Sequence, residues 1–581
     1  MNRIHLYLIK PTRYDDEGYP IQWWRSLIPS NSLACVAGIV DDAIQRNALG
    51  DDVEIDVTAI DESNQKVDTS AILADAKRTG DRLLIFLVGV QTNQFPRAVD
   101  LARDFRNEGV PVCIGGFHVS GCLSMLRDLP EDLKQAQAMG ISFFAGEAED
   151  NRIDEVLRDG IAGDFKPIYN HIKHTPNLAG APLPMLSKRE ISRIYSSYSS
   201  FDLGRGCPFE CSFCTIINVQ GRKSRFRTPD DLEKIIRRNA EIGVTKFFMT
   251  DDNFARNKHW EMFLDRLIDL KKDGLKFHIA IQVDTLAHKI PNFIEKCHQS
   301  GCDQIFIGLE NINADSLEAV KKRQNRVEDY RDMFLAWKSH PVIITCGYII
   351  GFPNDTKQSI LRDIETIKTN FPIDTLYLNY LTPLPGSEDH KKLYEAGIWM
   401  DPDMSKYDLN HRVTHHPTMS DQEWEEAYVE AHRSFYSWDH MHRVIRRMAA
   451  MKSNKKRMTV HRLLGYRESV RLESCSKLEA GLWRIRRRRQ RRHGMPLENP
   501  VIFYPRARYR SVRIMAQLIT TMARLKWFMW KTLRDPKRLD YTDPAIEQAP
   551  IARGTDEFLT QTRVTAYAAK RMGQVKQAAA G

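Results

Sequence analysis

Short apolar runs alternate with helical periodicity over the first 165 residues. Ile4–Ile9, Val53–Val57, Leu83–Val90, Val110–Ile114 and Ile141–Ala145 read as strands. Between them, Asn31–Arg46 and Arg97–Asn107 gather their apolar residues on one helical face. Strands rich in Ile, Leu and Val, alternating with helices, predict a doubly wound, Rossmann-like parallel sheet. Such sheets bind ligands beyond the carboxyl ends of their strands. Here those ends are Lys10–Arg13, Gly89–Thr92, Gly115-Gly-Phe-His118 and Gly146-Glu-Ala-Glu149. Glycines there let a ligand approach the backbone; tight turns explain them equally well.

Residues 166–199 hold Pro167, Pro176, Pro182 and Pro184 with little periodicity, and read as a wrapping linker. A second βα series runs from Ser200 to about residue 400. Strands are expected at 200–206, 244–250, 277–282, 304–309, 342–350 and 375–381, with helices at 229–242, 258–273, 290–300, 315–322, 327–338 and 357–369. Six units predict an open, partial (β/α)6 barrel, because a closed TIM barrel takes eight. Ser420-Asp-Gln-Glu423 is a capping box that opens a helix expected to reach about Arg447. Ser511–Leu533 has Met515, Leu518, Ile519, Met522, Leu525 and Met529 at helical spacing. The predicted organisation is a sheet domain over 1–165, a linker over 166–199, a barrel over 200–400, a basic helical region over 401–540 and a flexible tail over 541–581.

Composition narrows the class. Hydrophobic residues at 42% and charged residues at 28% describe a globular chain. No run reaches the ~18 apolar residues of a membrane span. The N-terminal apolar run reads as a strand, being too short for a signal peptide. Ten cysteines, mostly scattered, argue against a disulfide framework and for a reducing compartment, the cytoplasm. The net charge of +10 conceals an asymmetry. Residues 441–540 carry 28 Lys and Arg against 6 Asp and Glu, a net of +22, so the remainder sums to −12. The dense run Arg484–Arg492 has three readings: a solvated face, a nucleic-acid contact, or a peripheral contact with an anionic membrane at the inner face. The amphipathic 511–533 helix, with Trp527, Phe528 and Trp530 near its end, favours the membrane, and with it a lipid-like substrate.

Chemistry concentrates at Arg205-Gly-Cys-Pro-Phe-Glu-Cys-Ser-Phe-Cys214. Cys207, Cys211 and Cys214 stand at C-x3-C-x2-C spacing on one short loop. Three thiolates suit three irons of a cubane and leave the fourth open to a ligand. A structural zinc site normally takes four protein ligands, and no fourth Cys or His follows at a suitable spacing. Zinc in an RNA- or membrane-binding protein is the reading of another class. The barrel supplies context, because Asp251-Asp-Asn253, Gln282, Asp284, Glu310-Asn311 and Gly351-Phe-Pro-Asn354 all fall at expected strand ends, where barrel chemistry sits.

With these residues in view, residues 1–450 resemble the radical S-adenosylmethionine (SAM) enzymes, in the subgroup with an N-terminal cobalamin-binding domain. The resemblance implies a 4Fe–4S cluster on Cys207, Cys211 and Cys214. Its open iron would chelate SAM, and an electron would cleave SAM to a 5′-deoxyadenosyl radical. It also implies that Phe213 packs near the adenine and that Asp251 and Asp252 contact the SAM amino group. Glu310 would lie near the ribose and carboxylate, and Gly351 near the adenine. Gly115, Gly116 and His118 resemble the turn that meets cobalamin, although the Asp-x-His-x-x-Gly motif that supplies a histidine to cobalt is absent. The expected reaction is cobalamin-dependent methylation of an unactivated carbon of a small or lipid-like molecule, with a flavodoxin or ferredoxin as electron donor. The alternative is radical cyclisation, rearrangement or oxidation without cobalamin. Cys35, Cys113 and Cys122 do not reproduce the second cysteine trio of the tRNA methylthiotransferases.

Overall fold

The computed structural model describes residues 2–547; the expected flexible tail from 548 onward lies outside the described residues. The first sheet is built from β1 (Asn2–Lys10), β3 (Val53–Asp61), β4 (Arg82–Leu87), β5 (Val112–Gly115), β6 (Ser142–Ala145) and β7 (Ile168–Asn170). All are parallel, in the order β3-β1-β4-β5-β6-β7. Apolar clusters cover both faces, one around Ile85, Leu101 and Phe143 and the other around Leu6, Leu33 and Leu84. β7 lies inside the stretch expected to be linker: Ile168 pairs with Phe143, and Tyr169 is buried against the sheet. The rest of that stretch wraps helix α1 (Asn31–Gln45), where a side chain at Gly38 would collide with the Leu183 carbonyl.

The second sheet runs β8 (Tyr198–Phe201), β11 (Lys246–Met249), β12 (His278–Val283), β13 (Cys302–Glu310), β14 (Ile343–Ile350) and β15 (Thr375–Tyr380). These pair in chain order, all parallel, and β8 and β15 do not meet. This is the expected partial (β/α)6 barrel. β14 is buried at all eight positions, which explains its largely apolar sequence. The strand expected over 200–206 stops early. Beyond Phe201 the chain turns into a two-residue antiparallel ribbon, β9 (Gly204–Arg205) with β10 (Arg225–Phe226), because the Asp251 carboxylate takes the Leu203 amide at 2.7 Å.

The helix expected over 420–447 is two helices, α4 (Asp421–Phe435) and α5 (Trp438–Ala450). Ser437 recaps the chain by accepting from the His440 amide. Helix α6 (Lys456–Glu473) and a 35-residue helix α7 (Pro500–Arg534) complete the basic region. α7 starts eleven residues before the expected Ser511, with Asn499 accepting from Val501 N and Pro500 at its first position. Leu525, Phe528 and Met529 bury one end of α7 against Met441, Val444 and Leu463.

The dense arginine run is not a free face. β16 (Gly481–Ile485) pairs antiparallel with β2 (Gln22–Ser26) of the N-terminal domain. Arg484 and Arg486 both bind Asp15, at 2.9 and 2.6 Å, and Arg492 binds Asp403 at 2.8 Å. The start of the expected tail is also docked: Asp543 takes Arg447 at 2.7 Å and Ala545 is fully buried.

Candidate functional site

The cysteine loop leaves the β9–β10 ribbon and ends at the short helix α3 (Ile216–Val219). Gly206 holds φ +88°, where a side chain would crowd the Lys223 and Gly221 carbonyls, so the turn into Cys207 needs glycine. Cys207 N donates to Gly221 O, Cys214 N to Cys211 O, and Ser212 N to Val320 O at 3.1 Å. These bonds hold the three cysteines on one fixed loop. Burial raises Cys207 and carries Cys214 up to about 12. Cys207 and Cys214 are therefore costly as thiolates unless metal takes them. Among the described residues no three His, Cys, Asp or Glu side chains converge on one ion-sized point. Thiolates bound to three different irons are not required to converge, so the donor set fits a cluster.

Arg205 anchors the loop from behind. It reaches Glu149 at 2.7 Å, Glu147 at 2.8 Å and Asp202 at 3.0 Å, and Arg225 reaches the same Glu147 at 2.5 Å. The Gly146-Glu-Ala-Glu149 turn of the first sheet is thereby committed to holding the cysteine loop. The two domains also touch where α2 (Phe117–Met125) crosses the loop after β15. A side chain at Gly121 would collide with the Pro385 carbonyl, and one at Gly386 would crowd Gly121.

Asp251 and Asp252 follow β11. Asp251 turns inward to the Leu203 amide, and Asp252 accepts from Gly206 N at 3.2 Å. Burial raises them to about 8 and about 7 respectively. Asp251, expected to contact a cofactor, is placed as a clamp on the loop's leading strand. Glu310 ends β13 at φ +62°, across a register shift from Gly308. A side chain at Gly308 would meet Glu310 Oε1 at 2.6 Å, so the Gly-x-Glu spacing leaves room for that carboxylate.

Two residues missed by sequence reasoning join it. Lys322 Nζ lies 2.9 Å from Glu310 and 5.7 Å from the Phe213 ring centre, and Gln324 Nε2 lies 3.5 Å from Cys211 Sγ. In the sequence they sit in Lys321-Lys-Arg-Gln324, which has the composition of a solvated turn and follows the Gly-x-Glu strand end only after a short helix, Ala314–Ala319. Phe213 faces Phe352 at 6.0 Å.

Gly351, at φ +104°, is pressed by the Trp424 indole, whose Nε1 donates to Ile350 O; its demand for glycine comes from α4 packing. Gly116 lies against the Val90 backbone, and Gly115 against Phe144. His118 is buried with both ring nitrogens engaged, by Thr92 at 3.3 Å and Asp132 at 2.8 Å. Beside them Arg13 binds Asp408 and Glu479, and Asn93 donates to Glu479, so the C-terminal segment covers this edge of the first sheet.

Residues 202–367 match the family described as the radical SAM superfamily. Bacteriochlorophyllide d C-12(1)-methyltransferase of Chlorobaculum tepidum is 27% identical over 57% of this chain and 69% of its own length. Hopanoid C-2 methylase of Rhodopseudomonas palustris is 22% identical over 62% of this chain and 66% of its own. Among solved structures, the cobalamin-dependent radical enzyme OxsB, with aqua-cobalamin and SAM bound, aligns over 93% of this chain and 81% of its own. Its TM-score is 0.53 at 12% identity. The methyltransferase TsrM of Kitasatospora setae, with cobalamin and a [4Fe-4S] cluster bound, covers 69% of this chain and 80% of its own, at TM-score 0.51 and 14% identity. The two structures share the domain architecture.

Proposed function

The chain is a radical SAM enzyme, and on that premise we propose that it methylates an unactivated carbon of a small, lipid-like molecule with the aid of cobalamin. The observation that carries the reading is the cysteine loop at the carboxyl mouth of the partial barrel, clamped by Arg205 to a sheet of cobalamin-binding type. The named activities of the relatives, methylation of a tetrapyrrole and of a hopanoid, support methyl transfer. Cys207, Cys211 and Cys214 would hold a 4Fe–4S cluster, which would supply the electron that cleaves SAM, and cobalamin would supply the methyl group.

The chain's own residues do the positioning. Asp251 and Asp252 fix the strand that leads into the loop. Lys322 keeps the Glu310 carboxylate in place for the polar end of SAM, and Phe213 offers an aromatic face beside it. A flavodoxin or ferredoxin is the electron donor in this reading, and the exposed cations of α7 make peripheral contact with an anionic membrane. No helix of the described residues is long and apolar enough to cross one.

One observation favours a second reading, radical chemistry without cobalamin: Glu479 and Asp408 occupy the polar groups at the carboxyl edge of the first sheet. Anaerobic reconstitution tests both. Stoichiometric iron and sulfide with 5′-deoxyadenosine formed from SAM is expected, and zinc with no deoxyadenosine would end the first premise. Retention of hydroxocobalamin through gel filtration separates the two reactions; a protein that sheds it performs the second.

A further inference from the structure

A cavity of about 1440 Å³ opens at the amino-terminal mouth of the barrel, opposite the cysteine loop. It exceeds the ~300–1,000 Å³ of ordinary small-molecule sites. Its floor is the first residues of the strands, and α6 and α7 cover its side. Barrel lumens are normally packed with bulky side chains. Here the inward position Ala280, on the cavity wall, is small and leaves room between the strands. The cavity ends at Gln282 and Phe306. Gln282 Nε2 donates to Asp251 O at 3.3 Å. Phe306 and the Glu310 carboxylate flank the same point above Gly347, at 3.1 and 3.6 Å. The hollow therefore reaches the layer directly beneath Asp251 and Glu310.

Its lining charges are unbalanced. The carboxylates are taken: Asp303 by His278 at 2.9 Å and Lys455 at 3.1 Å, Glu468 by Arg471 at 2.6 Å, Glu473 by Arg484 at 3.4 Å. Lys246, His461 and Lys477 have no carboxylate partner among the described residues. Lys477 lies across α6 at Gly465, where any side chain would strike its ammonium. Burial, then Arg462, pushes Lys477 down to about 7, and burial, Arg457 and Lys477 lower His461. A half-buried ammonium with no carboxylate partner, as at Lys246 and Lys477, gains from an anion placed beside it. Around them the walls are apolar, with Trp24, Met515, Leu518 and Met522 among them.

We propose that this cavity is the substrate chamber, and that it takes a largely apolar molecule with one acid group, carboxylate or phosphate. The acid sits on Lys477, Lys246 and His461, and the apolar body runs up the lumen towards Gln282 and Phe306. The inference rests on the reading that the barrel's radical chemistry acts on a small lipid-like molecule.

The test is equilibrium binding to the full-length reconstituted protein, with cis-parinaric acid and its methyl ester as fluorescent probes. Laurate and dodecyl phosphate are the competitors. The acid is expected to bind roughly tenfold or more tightly than the ester. Lys477→Gln should remove that preference while leaving the ester unchanged. Leu518→Trp, which fills the hollow from α7, should weaken both probes. The stronger competitor names the acid group. Equal binding of acid and ester, an unaffected Lys477→Gln protein, or no binding would overturn the proposal. Deoxyadenosine formation in the same preparations is scored separately: failure to bind with SAM cleavage intact removes the chamber and spares the function, and the converse removes the function.

Discussion

Arg205 Nη2 lies 2.7 Å from Glu149 Oε1, and so joins the residue two places before the first cysteine to a turn of the other domain. Both side chains are almost fully buried, at 10% and 2% exposure. The geometry of the cysteine loop therefore depends on the first sheet, and a change in that sheet is felt at the loop.

Glu149→Gln should expose this dependence. The variant keeps the side chain's shape but removes one of the three carboxylates around Arg205. Hydrogen bonds to charged groups contribute about 1.5–3 kcal/mol each, so a loss near 2 kcal/mol in a urea titration is expected. The functional consequence is a fall in iron retained after reconstitution. A variant that loses stability yet binds full iron would show that the loop holds its shape without the domain contact.

Gly351→Ala tests whether that glycine serves packing. The added methyl would strike the Trp424 ring, and alanine at φ +104° is strained wherever it stands. A loss of about 3 kcal/mol or more, with α4 loosened to proteolysis, is expected. Trp424→Leu in the same chain should restore part of it, since it removes the collision and leaves the strain. No recovery at all would place the whole cost in the backbone.

His411 binds Asp408 at 2.9 Å and Asp16 at 3.2 Å, across the seam between the barrel region and the N-terminal domain. Burial works against its charge, but the two carboxylates raise it to about 10. A histidine raised in the folded state stabilises fully below its unfolded pKa near 6.5. That contribution is lost as pH climbs through about 10. Melting temperature should fall between pH 7 and 10.5 in the natural protein, and less steeply in His411→Gln. Parallel curves for the two would refute the assignment.

Much of this fold was legible because strands buried on both faces announce themselves. The eight buried residues of β14 and the apolar core of β1 leave no other reading. The cysteine trio was legible because its spacing is local. What escaped are partners distant in sequence. Nothing near Arg205 points to Glu149, and nothing near Lys322 points to Glu310. The direction of a side chain also escaped. Asp251 sits at a strand end as a ligand-binding residue does, yet its carboxylate is spent on the Leu203 amide. The single helix expected over 420–447 failed at Ser437, where one hydroxyl restarts the chain.

The basic C-terminal region carries the last prediction, because its charges divide into two populations. Arg484, Arg486 and Arg492 are paired with Asp15, Glu17 and Asp403 and tie β16 to the N-terminal domain. Their removal should destabilise the protein whatever it touches. Arg508, Arg513 and Lys531 on α7 are exposed beside Tyr509, Val512 and Trp527. Each exposed cation near an anionic bilayer contributes about 1 kcal/mol. Replacing these three by glutamine should leave the melting temperature within a degree or so, since exposed substitutions of this kind are close to neutral. The same variant should lower sedimentation with phosphatidylserine vesicles at low salt by roughly a hundredfold in partition coefficient. Sedimentation unchanged in that variant would remove the membrane contact from α7.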